Sequence, residues 1–391
     1  MESAIRFAPQ IFLLSWRIHS EKTKMFKFLL YPFSAIYGFV VSFRNFLYDY
    51  KIFQSTEYEI PVISIGNITV GGTGKTPHTE YLVELLRKQF IITTVSRGYK
   101  RKTKGYQEVE VSSLASAIGD EPLQIKTKFS DIQVIVDEKR VHAIKKIQLQ
   151  DAAHLPDVII LDDAFQHRSV SAGINILLID FNRPIDQDSL MPVGRLRESK
   201  WQMRRATVII YTKCPQEISP ITRRIIMKDV YLRPYQNLFF TTMVYQPLSP
   251  VFPDQAIPTP KLASDIVSVL LVTGIANPEH LRKYLSNFTE NITDLKYPDH
   301  HNFNTSNIQQ IEQKFDGIEA VNKIIITTEK DAMRLKDMNL SEPMKANLFY
   351  IPLKIKFLDS EGKNFDEKIV TYVRENKSNR DLHKRKSKKA N

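Results

Sequence analysis

Residues 60–77, IPVISIGNITVGGTGKTP, run a strand-like apolar stretch into a glycine-rich turn that ends on Gly74-Lys75-Thr76. A turn of this composition aims successive backbone N–H groups into one concavity, and the lysine behind it reaches the outer phosphates of a nucleoside triphosphate. Thr69, Val70, Gly71, Gly72, Thr73, Gly74, Lys75 and Thr76 are therefore the candidate phosphate-binding residues, and the Thr76 hydroxyl is a candidate ligand for Mg²⁺. The full pattern G-x-x-x-x-G-K-[ST] asks for glycine where Thr69 stands; Gly71 and Gly72 supply the flexibility instead. Three of the chain's 13 glycines fall between 71 and 74, a density that an ordinary strand-to-helix turn does not need.

Carboxylates recur where such a site needs them. At 158–167, VIILDDAFQH, four apolar residues lead to Asp162 and Asp163, where a P-loop protein holds Mg²⁺. Alone, an Asp pair after a buried strand reads equally as a helix cap. Gly119-Asp120-Glu121-Pro122 puts two acids at a helix entrance; the plain reading is an N-cap, the chemical one a carboxylate that takes a hydroxyl proton. The sole His pair lies in Tyr297-Pro298-Asp299-His300-His301, either a capped turn or an imidazole that faces Asp120 across a cleft, while a zinc site lacks a third spaced ligand. Loop arginines Arg97, Arg140, Arg195 and Arg197 are solvated or meet phosphates. Thr212-Lys213-Cys214-Pro215 carries proline where a guanine-reading element has aspartate, so ATP is expected over GTP.

The elements that position these residues follow from periodicity. Short apolar runs at 62–65, 91–95, 133–136, 158–161, 176–179 and 208–211 alternate with helical patterns, notably 76–88 and 139–148. Such alternation predicts an α/β fold, a P-loop-type doubly wound parallel sheet. We expect a kinase core over 59–215, a proline-rich linker over 216–262, a second, smaller α/β domain over 263–376 with strands at 267–273, 324–327 and 348–351, and a disordered basic tail over 377–391.

The net charge of +12 sits at the chain's ends: outside the first 51 and last 15 residues, 41 bases meet 39 acids. A nearly neutral body argues against an extended nucleic-acid groove. The single cysteine, Cys214, rules out an intramolecular disulfide and suits a reducing compartment. Residues 28–43 lack charge, and ten of the forty aromatics lie between 26 and 50. Sixteen uncharged residues with Pro32 and Gly38 among them are short for a span, and aromatics flanked by bases suit an interfacial helix; a core helix and a spanning one are the alternatives. The 1–58 segment is therefore expected to be helical and to lie on a membrane, and either Met1 or Met25 could be the start.

Taken in order, SIGNITVGGTGKTP, VSRGYKRK, GDEPLQI, VIVDEKRVHAI, VIILDDAFQHR, MPVGRLRE, VTGIANPEHL, YPDHHNF and TTEKDAMRL resemble the lipid A 4'-kinase (tetraacyldisaccharide 4'-kinase) family over about 25–353. The resemblance implies transfer of the ATP γ-phosphate to the 4'-hydroxyl of a tetraacylated glucosamine disaccharide 1-phosphate, giving lipid IVA on the cytoplasmic face of the bacterial inner membrane. It further implies Asp120 as base with His300 as partner, Asp162 and Asp163 as Walker B acids, and Glu121, Arg140, Gln166 and Arg197 around metal and phosphates. A monomer on the inner-membrane surface is expected. A P-loop ATPase coupled to a protein or nucleic-acid partner is the other reading, and ATP turnover without lipid separates the two.

Overall fold

A computed structural model describes residues 8–151, 153–262 and 268–390, with side chains given from 28 to 379. The first seven residues, including one of the two candidate starts, and the expected opening of the second unit at 263–267 lie outside the described residues.

In chain order the first part comprises α1 (Ala8–Asp49), β1 (Val62–Asn67), α2 (Lys75–Leu86), β2 (Ile92–Ser96), β3 (Gln107–Glu108), α3 (Ala115–Ile118) and α4 (Asp120–Lys128). β4 (Gln133–Val136), α5 (Arg140–Gln148), β5 (Val158–Leu161), β6 (Ile174–Asp180), β7 (Val208–Thr212), α6 (Pro220–Val230) and β8 (Asn237–Tyr245) follow. Next come β9 (Ser249–Pro250), β10 (Ser268–Thr273), α7 (Glu279–Leu285), β11 (Ile292–Lys296), α8 (Thr305–Asp316), β12 (Lys323–Thr328) and α9 (Glu329–Lys336). The last are α10 (Glu342–Asn347), β13 (Leu348–Ile351), β14 (Leu353–Phe357) and α11 (Gly362–Ala390).

The larger sheet has nine strands in the order β14-β8-β7-β6-β1-β5-β2-β4-β3, with only its two edge strands antiparallel to their neighbours. Every residue of β1, β2, β5 and β7 is buried, as parallel strands covered on both faces must be, and this is why those segments lack the apolar-polar alternation of a half-exposed strand. Ile63 and Ile65 of β1 pack with Leu82, Val83 and Leu86 of α2 on one face, whereas Val62 joins Ile144 and Ile147 of α5 on the other. The smaller sheet, β11-β10-β12-β13-β9, is parallel apart from β9.

The expected linker at 216–262 contains a helix and a strand of the larger sheet as well as irregular chain. Ser219 caps α6 and Pro220 occupies its first turn, where a missing N–H costs nothing; β8, NLFFTTMVY, extends the larger sheet. Two of the prolines here lie in regular elements, Pro220 opening a helix and Pro250 on the edge strand β9. The boundary at 376 is also revised, because the chain returns to the larger sheet as β14 and then α11, whose Phe365, Ile369 and Val373 bury against Phe239 and Phe357. The basic segment expected to lack structure continues α11 as far as Ala390.

The long helix α1 is amphipathic in reverse. Ser34 and Asn45 are buried against the protein, while Phe28, Phe33, Ile36, Phe39, Val40 and Phe43 are each more than half exposed. Ser34 Oγ donates to the Leu190 carbonyl (2.8 Å), Tyr37 to the Arg197 carbonyl (2.9 Å) and Asn45 Nδ2 to Glu198 Oε1 (3.0 Å). The contacting residues 34, 37 and 45 fall on one helical stripe. Gly38 lies on the same stripe and lets the 188–198 loop approach, since a Cβ there would meet Leu190 Cδ1 at 2.7 Å. Among the described residues no helix is long and apolar enough to cross a membrane.

Candidate active site

The glycine-rich turn connects β1 to α2 at the carboxyl edge of the larger sheet, where ligands of doubly wound folds sit. Gly74 ends the turn at φ +88°, and Gly71 adopts φ +114°. Both lie in the left-handed region, which explains two of the three glycines. Gly72 has open space where a Cβ would stand and no strained angle. The turn is braced from outside: Thr212 Oγ1 donates to the Thr73 carbonyl (2.8 Å), Lys213 Nζ to the Gly72 carbonyl, and Asn67 Nδ2 to Thr73 Oγ1 (2.7 Å). His78 Nδ1 lies 2.7 Å from the Gly74 carbonyl; because that oxygen only accepts, the proton is on Nδ1, and burial lowers this imidazole to about 4 and keeps it neutral. Thr69 and Val70 pair with the 195–197 strand-like loop, Val70 N–H donating to the Arg195 carbonyl at 2.8 Å. The first N–H groups of α2, at Lys75 and Thr76, have no partner within a helix and face the turn.

Behind this loop lie the two aspartates. Asp162 is almost wholly buried and accepts from Thr79 Oγ1 at 3.0 Å. Burial, reinforced by Glu121 and Asp163, pushes its carboxyl up to about 7. Asp163, at φ +46°, lies 3.8 Å from Lys75 Nζ and accepts from Arg197 at 3.2 Å. A carboxyl raised by burial and by neighbouring acids is a place where a cation would be welcome.

The opposite wall is made by two elements distant in sequence. Gly119, at φ +97°, turns the chain so that Asp120 and Glu121 open α4. From the smaller sheet's side, α9 presents Lys330 and Arg334, one turn apart: Lys330 pairs with Glu121 and Arg334 with Asp120 Oδ2. Burial pushes Glu121 up, but Lys330 and Lys75 outweigh it and hold the carboxyl down at about 2. His300, at φ +58°, places Nδ1 3.8 Å from Asp120 Oδ2 and 3.1 Å from the Arg334 guanidinium, with its ring edge-on to Tyr99. Burial lowers its imidazole below the ordinary range. His301 points elsewhere, stacked on Tyr297 and bonded to Asn307 (2.8 Å).

Two residues expected at the nucleotide bond the main chain. Arg140 is buried, with its guanidinium donating to the carbonyls of Asp137 (3.0 Å) and Asp162 (3.4 Å); Gln166 Nε2 donates to the Asn67 carbonyl (2.7 Å). Lys330 and Arg334 were given no role from the sequence, and Lys213 was read only as part of a guanine-like element. Their only signal there was membership in charged helical or turn motifs.

A profile of the tetraacyldisaccharide-1-P 4'-kinase family matches residues 26–374. The chain belongs to this family. It is therefore a kinase with an α/β fold that binds ATP. The tetraacyldisaccharide 4'-kinase of Bacteroides fragilis (strain YCH46) is 46% identical over 361 residues, covering 91% of this chain and 96% of the relative. That of Flavobacterium johnsoniae is 41% identical over 348 residues, covering 89% and 97%. The crystal structure of LpxK from Aquifex aeolicus in complex with ATP superposes with a TM-score of 0.68 at 28% identity, covering 89% of this chain and 99% of that one.

Proposed function

We propose that this 4'-kinase phosphorylates the 4'-hydroxyl of tetraacyldisaccharide 1-phosphate to give lipid IVA, acting as a monomer on the cytoplasmic face of the inner membrane. The observation that carries the reading is the juxtaposition of Asp120 with His300, one on each α/β unit, beside Glu121, whose carboxyl feels Lys75 of the phosphate loop. Asp120 accepts the 4'-hydroxyl proton as the oxygen attacks the γ-phosphorus in line. His300 steadies that carboxylate from the other side of the cleft. Charge that develops on the transferring phosphoryl group is met by Lys75 and by the Arg197 guanidinium, which already lies on Asp163. Approach of the two units would exclude water and so suppress ATP hydrolysis.

Mg²⁺ fits the site's chemistry. Among the described residues no three His, Cys, Asp or Glu side chains form a metal cage; an ion that keeps waters and shares phosphate oxygens needs fewer protein ligands. Thr76, Asp162 and Asp163, with Glu121 nearby, would hold it. When bound, the ion neutralises phosphate charge and offsets the crowding that pushes Asp162 up.

The outward apolar face of α1 suits the membrane interface, its rings at the level of the lipid headgroups. The docked helix holds the 188–198 loop, so the anchor and the site share one support. The test is transfer of labelled γ-phosphate from ATP to tetraacyldisaccharide 1-phosphate in detergent micelles. Labelled lipid is the expected product, and release of free phosphate equally fast without lipid would point to an ATPase.

A further inference from the structure

The resemblance pairs Asp120 with His300, yet the two are not hydrogen-bonded: Nδ1 stands 3.8 Å from Oδ2. Between them lies Arg334. One of its terminal nitrogens bonds Asp120 Oδ2 and lies 3.1 Å from His300 Nδ1. That nitrogen carries two hydrogens, so it can donate to both at once. Donation to Nδ1 requires that atom to be unprotonated and places the imidazole proton on Nε2.

The other end of the guanidinium is fixed. Its NH1 donates to Asp331 Oδ1 at 2.8 Å, and Asp331 is completely buried. Asp331 Oδ2 accepts from the Gly274 N–H and from Thr328 Oγ1, each at 2.8 Å, and Thr328 in turn caps α9. Gly274 ends β10's connection toward the loop that carries His300, whose own N–H donates to the Gly274 carbonyl at 3.0 Å. A chain of bonds therefore runs from the core of the smaller unit through Asp331 and Arg334 to the carboxylate on α4. Only a planar guanidinium can span three such partners; an ammonium offers a point charge without the fork.

We propose that Arg334 is a positioning residue for the 4'-kinase reaction: it fixes Asp120 by Oδ2, leaves Oδ1 to take the 4'-hydroxyl proton, and sets the tautomer of His300. This rests on the kinase reading above. It also makes the catalytic pair dependent on α9, so that Asp120 is oriented only when the two α/β units meet.

The test compares wild type, Arg334→Ala, Arg334→Lys and Asp120→Ala by steady-state phosphate transfer to tetraacyldisaccharide 1-phosphate in micelles, with thermal unfolding of each. Misplacing a reacting group by about an ångström costs on the order of 100-fold, so Arg334→Ala should lose about that factor in kcat while KM for ATP stays within about threefold. Added guanidinium ion should restore part of kcat to Arg334→Ala and none to Asp120→Ala. Arg334→Lys keeps the charge without the fork and should remain at least about tenfold below wild type. If Arg334→Ala does not fold, the lysine variant decides. A kcat within threefold of wild type in either folded variant, or a loss confined to KM, overturns the proposal. A wild type that transfers no phosphate to this acceptor instead overturns the functional reading on which it rests.

Discussion

The two walls of the cleft are built differently. The turn of the nucleotide wall comes from one continuous stretch, 67–79, held by Thr212 and Lys213 of the same sheet and by its own Asn67. The acceptor wall joins Asp120 of α4 to His300 and to Arg334 of α9, across more than 200 residues of chain and two sheets. Side chains donating to the turn's own carbonyls and hydroxyl brace the first, whereas ion pairs between side chains assemble the second. It follows that the nucleotide wall is preformed and the acceptor wall depends on how the units approach. Binding of ATP and competence for transfer should therefore separate under mutation.

Substitutions on the acceptor's side should leave the nucleotide untouched. Phe39→Asp with Phe43→Asp puts two charges on the outer face of α1, where each now exposes more than half its surface. Burying a charge near lipid costs a few kcal/mol, so the variant should move from the membrane to the soluble fraction. Its KM for acceptor in vesicles should rise at least about tenfold on that account, with KM for ATP unchanged. Unaltered fractionation would break the reading of α1 as the membrane-facing element.

On the nucleotide wall the sharpest handle is protonation. Asp162 is raised to about 7, so below that pH a metal ion must displace its proton. Apparent Mg²⁺ affinity in the presence of ATP should fall by about tenfold per unit as pH drops below 7 and level off above it. In Asp162→Asn that slope should vanish, as titration calorimetry would reveal; a slope that persists would assign it to another group.

The smallest contrast lies inside the turn. Gly74 is at φ +88° and a Cβ would meet Met243 Cε at 2.4 Å, whereas Gly72 has neither constraint. A left-handed non-glycine residue costs about 1–2 kcal/mol, so Gly74→Ala should weaken ATP binding about tenfold. Gly72→Ala should stay within about twofold, since it adds no strain. Equal effects would mean that the turn is not held as described.

The same contrast explains what the sequence revealed. The phosphate loop and its strands were legible because their residues are contiguous and buried on both faces: 133–136, 158–161 and 348–351 coincide with β4, β5 and β13. The proline-rich 216–262 segment misled because proline was read as a breaker, while Pro220 starts a helix and Pro250 lies on an edge strand. The return of β14 and α11 to the larger sheet is a tertiary choice that no local pattern encodes. Arg334 was hidden for a similar reason. An arginine three residues beyond an aspartate on a helix looks like a surface pair, until the fold brings Asp120 to it. The choice of His300 over His301 rested on motif position alone, and in the structure only the former faces Asp120.

The most direct test of the two-wall account is Asp120→Ala, measured side by side for ATP affinity and for labelled phosphate transfer to tetraacyldisaccharide 1-phosphate. We predict an ATP dissociation constant within about threefold of wild type and a kcat reduced by about 10²–10⁴, the usual contribution of a general base. Turnover close to wild type, or a loss of ATP binding as large as the loss of transfer, would contradict it.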